Sequence, residues 1–341
     1  MSGGTPIIYI PGIMGSQLYL PEDGRKIWFS PAAFLTDTER LDISSPLSVK
    51  NNGINLQTRK TLQREHGVLK TDIILIEWLC MTFPETPVYF FSYDFRKSVI
   101  DAADELKQQI DTLILEGAEK VNIVCHSMGG LVTSAYVTEF GCDLLNKIMM
   151  IGVPFEGSYE VLRIYLTGDL LEIPNLIVET VGLTREMMAG YPGLAELIPT
   201  KRLLSACPIQ SGGIPLAENI QEAFIRSLIP DTYDSAREVQ SRIRRGMELL
   251  REKPDCWFGV GVGKTTLQSI SIPDNGTAPV RIESTEGDSL VLTASAMMGG
   301  DLENIGTDAK GNVRVRKFPV RHTNLLHYPE TLKWIAECLR E

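Results

Sequence analysis

The segment Lys120 to Tyr136, KVNIVCHSMGGLVTSAY, puts a serine where it could act as a nucleophile. A strand-like apolar run ends at Cys125, His126-Ser127-Met128-Gly129-Gly130 follows, and a helical stretch comes next. So tight a strand-to-helix turn strains the backbone at the serine and exposes its hydroxyl at the carboxyl end of a sheet, provided the residues two away are small. Gly129 meets that demand, and Cys125 meets it where glycine is usual. The helix start also aims free N–H groups and a partial positive charge at the same spot. A hydroxyl alone is a poor nucleophile, so a base and an acid to orient that base are required.

When such an elbow sits on an α/β-hydrolase sheet, the chain order is Ser, then Asp or Glu, then His. Four histidines are present. His66 precedes Ser127, the wrong order. His126 adjoins the nucleophile, so its side chain should project away and pack or hydrogen-bond elsewhere. His322 follows the strand-like VRVRKFPV and precedes the last helix, while His327 lies two residues before Pro329. His322 is favoured as the base on position, with His327 as the alternative. For the acid, Asp288 in TEGDSLVL precedes an apolar run that reads as a strand. Asp274 and Asp301 compete, but both stand in polar contexts where Asp makes local turns.

The negative oxygen formed on attack needs donors fixed in advance. The N–H of Met128 is one candidate. The loop after the first strand, GIMGS, is expected to supply the other through Met14, or alternatively Ile13. Its glycines let the backbone approach a substrate closely.

These residues need a frame. Ile7 to Ile10 reads as a buried strand ended by Pro11-Gly12. Residues 21–70 are irregular, with weak strand signals at Trp28 and Phe29. Asp72 to Phe83 fits a buried helix and Val88 to Ser92 a core strand. Ser98 starts a helix with Asp101 in the place a capping box would use. Its apolar face is Val99, Ala103, Leu106, Ile110 and Leu113, and Gly117 is a plausible stop. Strands follow at Lys120 to Cys125 and Lys147 to Val153. Short apolar strands alternating with helices are the signature of a mostly parallel sheet covered on both faces, an α/β architecture.

After Pro154 the pattern turns helical, in EVLRIYL, IQEAFIRSLI and REVQSRIRRGMELL, with no convincing core strand. Strands resume at CWFGVGVG and SLVLTA, and the chain closes with a helix from Pro329 to Arg340. The expected organisation is therefore a core of residues 1–154 and 255–341, interrupted by a helical cap of residues 155–254.

Bulk composition excludes little else. Apolar residues make up 43% and charged residues 22%, and the formal net charge is -10. That balance offers no general attraction to nucleic acid or anionic membranes, and SRIRRG reads as a solvated helix face. No apolar run approaches the roughly 18–20 residues needed to span a bilayer. The opening MSGGTPIIYIPG lacks a basic start and an apolar stretch, so no secretory leader is expected and a cytoplasmic location is. Six scattered cysteines form no CxxC pair, and neither metal nor cofactor is expected.

The ordered set of motifs resembles the lecithin:cholesterol acyltransferase family of α/β-hydrolases. PIIYIPGIMGSQL is similar to its opening segment, Tyr93-Asp94-Phe95-Arg96 to its Tyr-Asp-Trp-Arg, and HSMGG to its elbow. GVPFEGS resembles the stretch that opens its cap, YPGLAELIP a cap segment of microbial members, and HTNLLHYPETLKWI its histidine-bearing end. Gly287-Asp288 stands where the family has Gly-Asp-Gly-Thr-Val-Pro, with Ser-Leu-Val-Leu replacing the last four. The resemblance implies a Ser127–Asp288–His322 triad, oxyanion amides from Met14 and Met128, and a lid over an acyl pocket.

The function expected is a serine hydrolase or acyltransferase acting on acyl esters through an acyl-enzyme. A lipid or phospholipid ester is favoured, with transient contact between cap and lipid surface. Leu162, Ile164, Leu166, Leu170, Leu171, Ile173, Leu176 and Ile177 could line an acyl site or form the cap's own core. A peptidase or thioesterase of the same fold, and a catalytically inactive binding protein, are the alternatives.

Overall fold

The computed structural model describes residues 5–28, 30, 37–50, 55–56, 70–168, 184–273, 279–311 and 313–340. Phe29, His66, Asp274, Leu170, Leu171, Ile173, Leu176 and Ile177 lie outside the described residues.

The strands are β1 (Ile7–Ile10), β2 (Leu18–Tyr19), β3 (Lys26–Trp28), β4 (Val88–Phe90), β5 (Val121–His126), β6 (Leu145–Ile151), β7 (Gln210–Ser211), β8 (Ile214–Pro215), β9 (Cys256–Gly261), β10 (Thr266–Ile272), β11 (Val280–Ser284) and β12 (Val315–Phe318). The helices are α1 (Lys70–Thr82), α2 (Val99–Leu115), α3 (Met128–Phe140), α4 (Tyr159–Thr167), α5 (Arg185–Ala189), α6 (Pro192–Ala195), α7 (Lys201–Ala206), α8 (Glu218–Leu228), α9 (Tyr233–Glu252), α10 (Thr293–Ala296) and α11 (Pro329–Leu339).

Six strands form the main sheet in the order β12-β9-β6-β5-β1-β4, and every neighbouring pair is parallel. All four residues of β1 and all six of β5 and of β9 are buried, as a sheet covered on both faces requires. One apolar core includes Ile8, Ile10 and Cys125 with α2 and α3; another includes Tyr9, Val124 and Ile151 with α1 and α11. The α/β-hydrolase architecture expected from the alternation of elements is thus present.

Helix α2 buries Val99, Ala103, Leu106, Ile110 and Leu113, the face read from spacing. Ser98 caps it by accepting from Ile100 N at 3.2 Å. The carboxylate that meets its first N–H comes from far along the chain: Glu196 Oε2 accepts from Val99 N at 2.8 Å.

Two departures from the sequence reading stand out. First, SLVLTA is no strand. It is a bend that runs into α10, with Ser289 at φ 89. Asp288 Oδ1 accepts from Leu290 N and Val291 N at 3.1 and 2.8 Å, which folds the run into a side-chain-capped turn. Second, a four-stranded sheet, β11-β10-β7-β8, joins a hairpin at 210–215 to residues 266–284. Between residues 155 and 254 the described chain is otherwise helical, and β9 returns it to the main sheet at Cys256.

The inserted helices lie directly on the core. Helix α9 crosses α3 so closely that a Cβ on Gly246 would stand 1.9 Å from Ser134 O. In an exposed helix Gly→Ala stabilises by about 1 kcal/mol. Here the sign should reverse: Gly246→Ala is expected to lower unfolding stability by about 1–3 kcal/mol through overpacking. Urea denaturation checks this, and an unchanged midpoint would refute the close crossing.

Candidate active site

The turn at the end of β5 places Ser127 at φ 53, ψ -127, a conformation non-glycine residues rarely adopt. Its amide donates to Ile151 O at 2.9 Å, which ties the turn to the neighbouring strand. Close packing holds it on every side. A Cβ on Gly129 would lie 2.5 Å from Ile10 O, one on Gly130 2.2 Å from Val153 Cγ2, and one on Gly12 2.9 Å from Ser127 Cβ. Cys125, two residues before the serine, is buried against Met149 and Met150, and burial pushes its thiol up to about 12. At neutral pH it is therefore a small apolar filler.

The base and acid expected from the sequence meet. His322 Nδ1 lies 2.8 Å from Asp288 Oδ2, with side chains 3% and 1% exposed. A carboxylate only accepts, so Nδ1 donates and Nε2 is left free to accept a proton. The backbones are joined as well, since His322 N donates to Asp288 O at 2.7 Å. The ring reaches the elbow through β6: a Cβ on Gly152, next to the Ile151 carbonyl that holds Ser127, would stand 3.2 Å from His322 Cε1. His327 ends the short 3-10 turn Thr323–Leu326 that follows His322. Asp301 is tied to Arg202 and Arg244 instead.

His126 lands against the other histidine. The ring centroids of His126 and His322 are 4.6 Å apart, and His126 Nε2 donates to His322 O at 3.3 Å. Burial, reinforced by the second imidazole, holds His126 well below the ordinary histidine range. A neutral His126 therefore braces His322 from behind. Sequence spacing gave no sign of this contact.

Met14 occupies the left-handed region at φ 63, inside a turn closed by Gly15 N to Gly12 O at 3.1 Å. Trp28 Nε1 donates to Met14 O at 2.9 Å and Tyr93 OH to Pro11 O at 3.0 Å, so the loop is held from both sides. The contact of Gly12 with Ser127 sets this loop beside the nucleophile. Met128 is the first residue of α3, where amides have no partner within the helix.

The inserted segment also touches the elbow. A Cβ on Gly193 would lie 2.8 Å from Met128 Cε and 2.4 Å from the carbonyls of Phe95 and Lys97. Tyr191 OH donates to Leu41 O at 2.5 Å, and Arg96, fully buried, binds Asp94 together with the carbonyls of Asp42 and Ser45. A cavity of about 500 Å³ is lined in part by Arg202, Leu203, Cys207, Leu292 and Thr293. It includes neither Ser127 nor His322.

Parts of the chain are similar to known proteins. The lecithin:cholesterol acyltransferase family model matches residues 83–218, which include the elbow and Tyr191–Pro199. Over that segment the chain is similar to the lecithin:cholesterol acyltransferase family. The chain is 26% identical over 201 residues to lecithin-cholesterol acyltransferase-like 4 of Arabidopsis thaliana, covering 49% of its own length and 36% of that relative's. The chain thus matches about a third of the length of that curated relative. Its fold overlays the structure of the Tle4–Tli4 complex at TM-score 0.63 with 13% identity and 98% of each chain covered. Staphylococcus hyicus lipase overlays at TM-score 0.40 with 13% identity, covering 98% of this chain and 94% of that one.

Removing the ring that binds Asp288 should matter far more than removing its neighbour. His322→Ala is expected to lower kcat by about 10⁴-fold or more, while His327→Ala keeps most of the turnover. Steady-state kinetics on a soluble ester separates the two, and the reverse ranking would reassign the base.

Proposed function

We propose that the chain is a serine acyl-ester enzyme, hydrolase or acyltransferase, with Ser127 as nucleophile, His322 as base and Asp288 as orienting acid. The observation that carries this reading is the buried 2.8 Å pair between His322 and Asp288, delivered to a strained serine elbow. Ser127 Oγ attacks the ester carbonyl and its proton passes to His322 Nε2. Asp288 holds the imidazole and stabilises its charged form. The amides of Met14 and Met128 take up the negative oxygen. The alkoxide leaves with the proton from His322, and water or an alcohol then accepts the acyl group by the same steps in reverse.

The acyl group is that of a lipid or phospholipid ester. The family likeness supports that choice, together with the apolar faces of the insertion, where Leu162 and Ile164 are buried. Among the described residues of the insertion, Ile214 and Ile220 are the exposed large apolar side chains, and a lipid surface would be met there. Residues 155–254 form the cap over the site.

A fluorophosphonate probe should label the folded protein, and Ser127→Ala should abolish the label. Labelling that survives the substitution would sink the proposal. A chain-length series of acyl esters and phospholipids, run with and without an added alcohol, is expected to show rising kcat/KM with acyl length and to identify the acceptor by its product.

A further inference from the structure

Behind the first-strand loop lies a carboxyl group that the reaction above does not use. Asp72, on the first turn of α1, is 1% exposed. Its Oδ1 accepts from Tyr9 OH, and its Oδ2 has no hydrogen-bond partner. Tyr9 belongs to β1, the strand that runs into Pro11-Gly12. On the loop itself, a Cβ on Gly15 would stand 3.5 Å from Asp72 Oδ2 and 2.7 Å from the Pro11 ring. The carboxyl thus lies beside Gly15, on the same turn whose Gly12 presses against Ser127.

We propose that Asp72 is a positioning residue for this loop: its uncharged carboxyl supports the turn from behind, and a charge there opposes the negative oxygen the loop has to bind. The proposal rests on the reading of Ser127 as nucleophile and of the loop as part of the oxyanion site. A buried charge without a cation or a full set of donors is costly. Repulsion between like charges is strong where water is excluded. A donor site for a developing oxyanion works best when the surrounding charges favour that oxygen. Among the described residues, the titratable groups around Asp72 give its anion little help. They are Tyr9 from β1 and Tyr93 beyond β4, with Cys125 from β5 next to those two tyrosines, and His322 and His327 flanking the 3-10 turn that packs on α1. Burial pushes the Asp72 carboxyl up to about 7, against a smaller lowering by the Tyr9 hydroxyl.

The sign of the linkage follows. The folded state favours the protonated carboxyl, so its contribution to stability is complete below the ordinary carboxylate range and is lost as pH rises toward about 7. For turnover, ionisation should lower kcat with little change in KM, because the oxyanion exists only in the transition state.

The test is the pH profile of p-nitrophenyl ester turnover from pH 5 to 9, with Ser127→Ala as the blank. Wild type is expected to lose kcat on the alkaline side. Asp72→Asn should hold its kcat there, so that the ratio of variant to wild type grows by roughly tenfold between pH 6 and pH 9. Tyr9→Phe removes the bond that favours the anion and should move the wild-type decline to higher pH. A role in packing alone would move neither limb. A second readout needs no catalysis: the stability gap between Asp72→Asn and wild type should widen from pH 4 to pH 7 and then level. Superimposable profiles for wild type and Asp72→Asn, or a pH-independent stability gap, would overturn the proposal while leaving the Ser127 reading intact. Absence of any Ser127-dependent turnover would overturn both.

Discussion

The left-handed turn at Ser127 is the constraint on which the remaining geometry depends. Holding a serine at φ 53, ψ -127 costs of order 1–3 kcal/mol. The turn persists because its surroundings leave no alternative. Gly129 and Gly130 meet the ends of β1 and β6 at distances that admit no Cβ, and Gly12 does the same from the opposite side. Three parallel strands, β1, β5 and β6, must therefore end at matching heights. The parallel register delivers this, pairing Ile10 with Cys125 and His126 with Ile151.

The same turn explains why the inserted residues are built into the core. Gly193 rests on Met128, the residue after the serine, and Glu196 binds the first amide of α2. A Cβ on Gly157 would stand 2.1 Å from Ile198 O, so the start of the insertion is pressed against its own middle. Arg244 on α9 pairs with Glu156 and Asp301, joining the insertion to the chain just beyond the acid. Segment 191–198 is thus part of the wall of the site. Burial pushes Glu196 up to about 7, so its grip on α2 strengthens as it ionises and meets the positive helix end.

What the sequence revealed tracks how local the controlling interaction is. The elbow is one contiguous turn between an apolar strand and a helix, and the residues around Ser127 announce it. His322 was reached through the order of a few histidines, which needs no geometry. Asp288 reads as the residue before a strand and its rivals as turn residues, yet Asp288 itself makes a local turn with Leu290 and Val291. Its second oxygen is what distinguishes it, because Oδ2 meets a histidine 34 residues away. Strands β10 and β11 escaped notice because serine and threonine interrupt them. The structure can satisfy such a hydroxyl through a distant partner, as when Ser269 donates to Pro208 O at 2.6 Å, 61 residues away. The contacts of His126 with His322 and of Tyr9 with Asp72 join residues far apart in sequence, and no periodicity encodes them.

The charges around the serine follow one pattern. Burial holds His126 neutral, keeps the Cys125 thiol protonated, and pushes Tyr9, Tyr93 and Asp72 toward their uncharged forms. Asp288 differs in its donors: two backbone amides bind one oxygen and the imidazole binds the other. Desolvation of groups without such donors is what favours their uncharged forms. The Asp288 carboxyl therefore lies on the Nδ1 side of the histidine ring. There it steadies an imidazolium without confronting an anion on the substrate. A site arranged in this way favours a reaction that builds positive charge on His322 and negative charge on a substrate oxygen at the same moment, which is the charge pattern of acyl transfer.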